Sequence, residues 1–511
     1  MFSENNLLLP SLLLGFVIYY GCLWYFSGSR IRARGIQHPP GPPQRFLTGN
    51  LRDLSAMSTE PWLGFTAWSK VYGPIVYFRV LNQKTILLNS GKVVLDLLES
   101  RSNIYSDRPR LWMGGELAGR KWSVFLTSYL DPRFRVFRRL LQNGLNARAS
   151  KSYRQIQTQE AQVLLRGLSN SPQDFGAHIR RNAVAVILKV AYGYQVSSND
   201  DSLVRHLDRA FQLAATMNVP GKYWVEFLPI LRFVPAWFPG AGFKRKAFEI
   251  GRELSQTETI PFDWAQKQIA TGNFIESFTS KHVGDGQALK QSSLDEVKWC
   301  AAALFVGGGD TTVSVLRSFL LLLALHPEIQ KRAQDDIDSI APNRLPTHDD
   351  YDSLPFVRAI VKETLRWAPV APLGLPHRAI EDDIYDNYFI PKGISVIANI
   401  WAITHDEDIY PDPDTFDPSR HLESNPDQQP DPFKFVFGFG RRICPGAHLA
   451  EMSLFLNMAS ILAVFKVSKA VDANGLEIEP EIAWTTGATR HLKPFQCQIK
   501  PRSNEHLSLL G

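Results

Sequence analysis

The sequence predicts a mainly α-helical protein with a minor β region, preceded by one transmembrane helix. Apolar residues recur with helical spacing through most of residues 132–325, whereas strand-like patterns are confined to short segments. Strands and helices do not alternate in the way that builds a parallel sheet. With 511 residues and no internal repeats, the chain can bury a deep core and a cofactor.

The first 43 residues are predicted to attach the protein to a membrane. Residues 7–26 are uncharged and almost entirely apolar or aromatic, which is about long enough for a helix to cross a bilayer. Arginines follow within residues 30–34, so the positive-inside rule places the body of the protein in the cytoplasm and residues 1–6 across the membrane. A cleaved secretory signal is the alternative, but the apolar run is long and lacks a positively charged start. Residues 27–43 are a basic and proline-rich linker.

The body of the chain is predicted to be one domain, residues 44–502, followed by a tail at residues 503–511. Its elements follow from periodicity and from proline and glycine breaks. In chain order they are a β-hairpin of residues 75–80 and 84–89, helices across 132–325 with breaks at Pro172 and 220–242, strands at 386–391 and 395–399, and a helix at 449–465.

The break at residues 220–242 is unusually apolar for a loop. It contains Trp224, Phe233, Trp237 and Phe238 among several prolines and glycines. Exposed apolar surface of this size needs a covering. The segment is therefore expected either to pack on the domain or to dip into the bilayer beside the anchor.

Charge and cysteine content exclude several classes of protein. A net charge of +6 without a dense basic block does not indicate a nucleic-acid binder. The cysteines at positions 22, 300, 444 and 497 form no C-x-x-C pair. Their spacing indicates neither a disulfide framework nor a zinc site.

One of these cysteines, Cys444, lies in a glycine-rich loop directly before an apolar helix. Two arginines precede it, and Phe437, Gly440 and Gly446 complete the loop. Positive charge and a helix N-terminus favour a thiolate, and a thiolate in an apolar pocket is a strong ligand for iron. A buried structural cysteine is the alternative.

A long helix is predicted from a capping-box signature at Ser293 to Leu325. Its middle holds three consecutive glycines at 307–309, each costing about 1 kcal/mol relative to alanine in a helix, followed by Asp310, Thr311 and Thr312. Close helix packing or a kink would explain the glycines. The other explanation is a flat group lying against the helix, with the acid and hydroxyls handling protons beside it.

These segments together resemble the cytochrome P450 family. The loop matches Phe-x-x-Gly-x-Arg-x-Cys-x-Gly at every fixed position from Phe437 to Gly446, and the glycine-rich helix resembles the family's oxygen-binding groove. The resemblance spans roughly residues 40 to 500 and implies a helix-rich triangular prism with small sheets. It implies that the Cys444 thiolate is the axial ligand of haem iron, and that Asp310, Thr311 and Thr312 support proton delivery to bound oxygen.

The resemblance also assigns the supporting charges. Arg442, His377 and Arg138 are expected to contact the haem propionates. Arg138 lies in a Trp-x-x-x-Arg-like helix in which Phe134 replaces the tryptophan, so the indole donor is lost. Other arginines of this helix are expected to form a docking face for a partner or merely a solvated surface.

A structural network is expected behind the cysteine loop. Glu363 and Arg366 lie three residues apart on one helix, a spacing that usually gives a weak surface pair. In the family such a pair meets a third charge from a Phe-x-Pro-x-Arg stretch, here Arg420. Ser419 replaces a glutamate that is frequent in that stretch.

The implied function is a haem-thiolate monooxygenase that uses haem b and O2. The sequence has neither a P-loop nor a Gly-x-Gly-x-x-Gly after a strand, so electrons from NADPH must arrive through a separate flavoprotein reductase, with cytochrome b5 as a further donor. A lipophilic substrate is expected, with a terpenoid favoured over aromatic polyketides and indoles. Likeness to fungal members indicates secondary metabolism at the endoplasmic reticulum membrane, facing the cytoplasm and contacting lipids. A reductase-independent isomerase or dehydratase and a non-catalytic haem or lipid carrier are the alternatives.

Overall fold

The computed structural model describes residues 37–57, 60–198, 201–217, 222–283 and 291–511. The predicted membrane helix, residues 7–26, lies outside these ranges, together with residues 1–6 and most of the linker. Within the described ranges helices dominate and three small sheets lie at their side. The predicted mainly α architecture with a minor β region is confirmed.

The helices vary from single turns to 35 residues. They are α1 (Leu51–Ser55), α2 (Pro61–Tyr72), α3 (Gly91–Val94), α4 (Ser102–Tyr105), α5 (Pro132–Leu145), α6 (Ala147–Lys151), α7 (Arg154–Asn170), α8 (Phe175–Tyr192), α9 (Ser202–Met217), α10 (Gly242–Ala270), α11 (Phe278–Val283), α12 (Gln291–Leu325), α13 (Pro327–Ile340), α14 (Pro355–Trp367), α15 (Ile400–Thr404), α16 (Phe433–Val436), α17 (Ala447–Val464) and α18 (Asn504–Ser508).

The strands build sheets of four, two and three members. The first has the order β1-β2-β6-β3, the second pairs β4 with β5, and the third has the order β8-β7-β9. The strands are β1 (Ile75–Val80), β2 (Gln83–Leu88), β3 (His377–Arg378), β4 (Asp383–Tyr385), β5 (Tyr388–Ile390), β6 (Ser395–Ala398), β7 (Phe465–Val471), β8 (Glu477–Ile478) and β9 (Cys497–Pro501).

The predicted hairpin is confirmed, and β2 also pairs in parallel with β6. The strand predicted at 386–391 is shorter than expected, because Asp386 and Asn387 both adopt positive φ angles, of 50° and 60°. Such a pair is the turn of a two-residue hairpin. These residues therefore join β4 to β5, and the strand begins at Tyr388. The sequence did not predict β4 or the third sheet.

The central feature is α12, which begins two residues before the predicted capping box. Its second half packs with α13, α14 and α17 in one hydrophobic cluster, and its first half packs with α5 and α8 in another. Among the described residues, the apolar helices long enough to cross a membrane are residues 293–325 and α17, and both are mostly buried inside the fold.

The three glycines of α12 face different neighbours: Gly308 and Gly309 face α8, whereas Gly307 faces Phe125. A Cβ on Gly308 would lie 3.0 Å from Ile187 of α8, and one on Gly309 would contact Val184 of the same helix. A Cβ on Gly307 would meet only Phe125, at 3.9 Å. Close helix packing therefore accounts for Gly308 and Gly309. Gly307 lies on the other side of the helix, so the sequence-based alternative of a flat group against the helix stays a prediction for that side.

Candidate haem and oxygen site

The cysteine loop is held in shape by its glycines and by one main-chain hydrogen bond. It follows α16, turns through Gly438 and Gly440 with φ angles of 78° and 52°, and ends where α17 begins. At Gly440 a Cβ would lie 2.4 Å from the Leu98 carbonyl oxygen, so no larger residue fits. The Cys444 N–H donates to the Phe437 carbonyl over 2.7 Å, which fixes the thiol at the start of α17.

The surroundings of Cys444 correct one sequence-based expectation. Burial raises the pKa of the thiol, and this outweighs the lowering by the Gly446 N–H and by the charge of Arg138. The Gly446 N–H and Arg138 favour the thiolate as the sequence indicated, but without a bound metal ion burial has the larger effect. A bound metal ion stabilises the deprotonated form of a cysteine ligand. Although the residue lies deep in the fold, its surface is exposed, as on the wall of an internal cavity, where it can take a ligand.

Four basic side chains converge near this loop. Arg442 donates from Nε to the Ser106 carbonyl over 2.7 Å and stacks on the Phe134 ring at 4.3 Å. Arg138 donates to the Ile443 carbonyl over 2.8 Å. The remaining two are His377, whose Nδ1 lies 2.7 Å from the Tyr105 carbonyl oxygen, and Arg108, which donates to the carbonyls of Phe125, Leu375 and Pro376.

Positive charge is in excess within this cluster. Burial, with the nearby charge of Arg442, lowers the pKa of Arg108 to about 9, and burial lowers that of Arg442 to about 10. The neighbouring carboxylate of Asp107 already binds Arg378 and accepts from the Ser128 hydroxyl. Burial lowers the pKa of His377 far below its ordinary value, and Arg108 adds to this effect. Buried cations need anionic partners, so two carboxylates of a bound group would satisfy this cluster.

Arg108 is the residue of this cluster that the sequence reasoning missed. It lies in a loop, between α4 and the helical turn Trp112–Leu117, where no periodicity marks it. The only local signal was its position between an aspartate and a proline. Phe134 also does more than its substitution suggested, because its ring supports the Arg442 guanidinium.

The other wall of the site is one face of α12. At 100° per residue, Val306, Gly307, Asp310 and Thr311 fall within an arc of about 140°. Val306 is 40 % exposed although it lies in the middle of the fold, as expected on a cavity wall. The Thr311 hydroxyl donates to the Gly307 carbonyl over 2.7 Å. Thr312 is 9 % exposed and lies on the side of Gly308, which faces α8, so it is not brought to the same face.

Asp310 contacts a segment that the sequence reasoning did not connect to it. Its Oδ2 lies 2.9 Å from His491 Nε2 and 3.0 Å from the Thr489 hydroxyl. Burial raises its pKa, but His491 and Thr489, with the charge of Arg180, outweigh burial and leave the pKa below its ordinary value. Asp310 is therefore an ionised carboxylate with defined partners.

The charged network behind the loop is fully buried. Glu363 accepts from Arg366 at both carboxylate oxygens over 2.8 Å, from Arg420 Nε over 3.1 Å and from His421 over 2.8 Å. Glu363 and Arg366 are 0 % exposed, and Arg420 is 4 % exposed. Arg366 and Arg420 also donate to carbonyls of the segment before the loop. Glu363 and Arg366 are therefore not the weak surface pair that their spacing alone suggested.

Comparisons with known proteins place the chain in a known family. The family model "Cytochrome P450" matches residues 39–495. Cytochrome P450 monooxygenase 208 of Postia placenta is 42 % identical, covering 96 % of this chain and 93 % of the relative. Cytochrome P450 monooxygenase claR of Ampulloclitocybe clavipes is 39 % identical over 95 % and 91 % of the two chains. Tryptamine 4-monooxygenase of Psilocybe cyanescens is 36 % identical over 96 % and 98 %.

The chain belongs to the cytochrome P450 family. It is a haem-dependent monooxygenase, and the family uses a haem–thiolate centre, O2 and electrons from a redox partner. The residues present fit that group, because Cys444 has accessible surface and lies beside basic side chains that include the buried Arg108 and the half-buried Arg442.

Proposed function

We propose that this protein is a membrane-anchored monooxygenase that takes electrons from an NADPH-dependent flavoprotein reductase and oxidises a lipophilic small molecule. The observation that carries the proposal is the cluster of basic side chains, including the buried Arg108, beside the accessible surface of Cys444. Such a cluster is costly unless anions neutralise it, and the two propionates of haem b are suitable anions. Cytochrome b5 is a further candidate electron donor.

Each site residue has a distinct part in this proposal. Cys444 would hold the iron, while Arg108, Arg442, Arg138 and His377 would hold the propionates. A carboxylate beside His377 favours its charged form, which offsets the effect of burial on that ring. Haem bound to a thiolate supplies the activation of O2. Phe437, Gly440 and Gly446 shape the loop that presents the cysteine.

The polar groups of α12 would manage protons. Asp310 is an ionised carboxylate one residue before Thr311, whose hydroxyl can turn from the Gly307 carbonyl towards the cavity. A carboxylate and an adjacent hydroxyl can pass a proton stepwise into a chamber from which bulk water is excluded. Thr312 was predicted to share this role, but its buried position against α8 favours a packing role.

Membrane attachment is supported by the segment before α10. Val225 and Phe227 are buried and fasten the segment to the domain, whereas Trp237, Phe233 and Trp224 are 78 %, 69 % and 60 % exposed. Large aromatic residues at such exposure favour insertion at a lipid interface. In this proposal the segment packs on the domain through its buried residues and inserts into the bilayer through its exposed ones, so both alternatives from the sequence apply. With the apolar residues 7–26, it supports a location at the endoplasmic reticulum membrane, with the domain in the cytoplasm.

The substrate is proposed to be a lipophilic scaffold of secondary metabolism. Exposed apolar side chains near the site, Val306, Leu375 and Ile443, favour burial of an uncharged molecule. A terpenoid remains the favoured class. An indole is the second candidate, because one relative is named for acting on tryptamine.

Three measurements test the proposal, the first two on the full-length protein. Terpenoids, indoles and aromatic polyketides would be screened for a spin-state shift of the bound haem. The best binder should then cause NADPH and O2 consumption with an added flavoprotein reductase and give an oxygenated product. Product formation without reductase or NADPH would instead identify an isomerase or dehydratase. Removal of residues 1–28 should loosen membrane binding and leave the haem spectrum unchanged.

A further inference from the structure

One stripe of α12 is fastened to a loop near the C-terminus, residues 484–493. Asp310, Ser314 and Arg317 are spaced i, i+4 and i+7 and therefore share a face. The Ser314 hydroxyl donates to the Arg490 carbonyl over 2.7 Å, and Arg317 donates to the Lys493 carbonyl over 3.5 Å. The oxygen-side helix and this loop therefore behave as one unit.

His491 is held rigidly within that loop. The Thr485 N–H donates to the His491 carbonyl over 2.8 Å, and the His491 N–H donates to the Thr485 hydroxyl over 3.0 Å. This pair of hydrogen bonds orients the imidazole so that Nε2 lies 2.9 Å from Asp310 Oδ2. The side chain of His491 is thus positioned by the loop and not by Asp310 alone.

The pair lies between the protein interior and solvent. The side chains of Asp310 and His491 are each 18 % exposed. Nδ1 of His491 has no hydrogen bond to any residue in the described part of the chain. One ring nitrogen is therefore free for water while the other contacts the carboxylate, which is the arrangement through which an imidazole passes a proton.

A purely structural ion pair is the simpler explanation, and two features argue against it. Ser314 and Arg317 already tie the loop to α12 through main-chain carbonyls, so attachment does not require a titratable pair. A buried pair also seldom adds stability over apolar residues of the same size. Besides His491 and Thr489, the positive charge of Arg180 on α8 lowers the pKa of Asp310 and so favours the carboxylate that can accept a proton.

We propose that His491 is a positioning and proton-supplying residue that recharges Asp310 during oxygen activation. The proposal rests on the proton-delivery role given to Asp310 above. A hydronium ion of the solvent gives a proton to Nδ1 of the neutral ring and leaves as water, and the imidazolium passes its Nε2 proton to Asp310 Oδ2. Asp310 then releases that proton towards Thr311 and returns to the carboxylate. The ring, now protonated only at Nδ1, exchanges protons with solvent water, losing one from Nδ1 and gaining one at Nε2, which restores its starting tautomer.

The informative variant is His491→Gln, because glutamine keeps an N–H donor for Asp310 but cannot carry a proton. Haem-loaded, full-length enzyme would be assayed with reductase and the compound that gives the largest spin-state shift. We expect the product formed per NADPH to fall about tenfold, with peroxide released instead. KM, the spin-state binding curve and the melting temperature should stay at wild-type values. The wild-type ratio should depend on the pH of the assay, and the variant should lose that dependence.

Two control variants make the outcomes separable. Ser314→Ala loosens the same loop without touching the Asp310–His491 pair, and its product per NADPH should match the wild type. If Ser314→Ala is uncoupled as strongly as His491→Gln, attachment of the loop is what matters and the inference is wrong. If Asp310→Asn is uncoupled while His491→Gln keeps the wild-type ratio and pH profile, only the inference fails. If Asp310→Asn is also fully coupled, the proposed proton role of Asp310 fails.

Discussion

Replacing Glu363 by glutamine should destabilise the fold by about 3 kcal/mol at neutral pH. Burial raises the pKa of Glu363, but hydrogen bonds from His421 and Arg366 outweigh it and lower the pKa from 4.5 to about 2. That difference, at about 1.36 kcal/mol per pH unit, is about 3 kcal/mol. This free energy agrees with the loss of roughly 3–5 kcal/mol that is typical when one partner of a buried ion pair is removed. The variant leaves two buried guanidiniums without a countercharge.

The sign of the pH dependence follows from the lowered pKa. A carboxyl group whose pKa is lower in the folded state stabilises the fold above its unfolded pKa, and this stability is lost as the pH falls from about 4.5 to about 2. The difference between wild type and Glu363→Gln should therefore be constant from about pH 8 to about pH 6 and shrink below about pH 4.5.

Thermal unfolding of the haem-loaded protein measures this effect. For 511 residues, about 1 kcal/mol corresponds to about 1 °C, so the melting temperature of Glu363→Gln should fall by about 3 °C. The control is Asp335→Asn, which breaks an ion pair with Lys331 whose side chains are 56 % and 70 % exposed; it should lower the melting temperature by less than about 1 °C. Equal melting temperatures for Glu363→Gln and wild type at neutral pH would refute the reasoning.

Three further predictions concern the haem pocket, the oxygen side and the membrane. Arg108→Met should weaken haem retention about 10- to 100-fold through loss of a charge-assisted contact, measured as haem per protein after dilution, whereas Arg110→Met on the exposed part of the same loop should retain haem normally. Thr311→Ala should lower product per NADPH several-fold and release peroxide, and unchanged coupling would remove Thr311 from the proton path. In protein that lacks residues 1–28, so that the proposed anchor does not mask the effect, the double variant Phe233→Ser and Trp237→Ser should bind vesicles of neutral phospholipid at least about 10-fold more weakly, while Ile340→Ser in the same background, at an exposed position of α13, should bind like the unsubstituted protein.

Much of the site could be predicted because its chemistry is local in sequence. The loop from Phe437 to Gly446 and the run from Gly307 to Thr312 each carry their residue types at short, fixed spacing. Glu363 and Arg366 are likewise three residues apart. Periodicity located α12 and the first hairpin for the same reason, since both depend on neighbouring residues.

The residues that were missed depend on distant contacts. Arg108 becomes a haem-site cation only because the chain folds Leu375 and Pro376 over it. His491 meets Asp310 across 181 positions of sequence, and no local pattern indicates such a pairing. The raised pKa of Cys444 has the same origin, because burial by the whole domain outweighs the adjacent helix N-terminus and arginine. Packing, and not spacing, decides these features.

The carbon monoxide difference spectrum of the reduced, haem-loaded protein tests the haem–thiolate assignment most directly. Wild-type protein should give the thiolate-type band, and Cys444→Ser should lose that band together with turnover, because a serine hydroxyl does not supply the electron donation of a thiolate. Cys497→Ser is the matched control and should behave like the wild type. A wild-type protein that binds haem but lacks the thiolate band, or a Cys444→Ser variant that keeps it, would contradict the account.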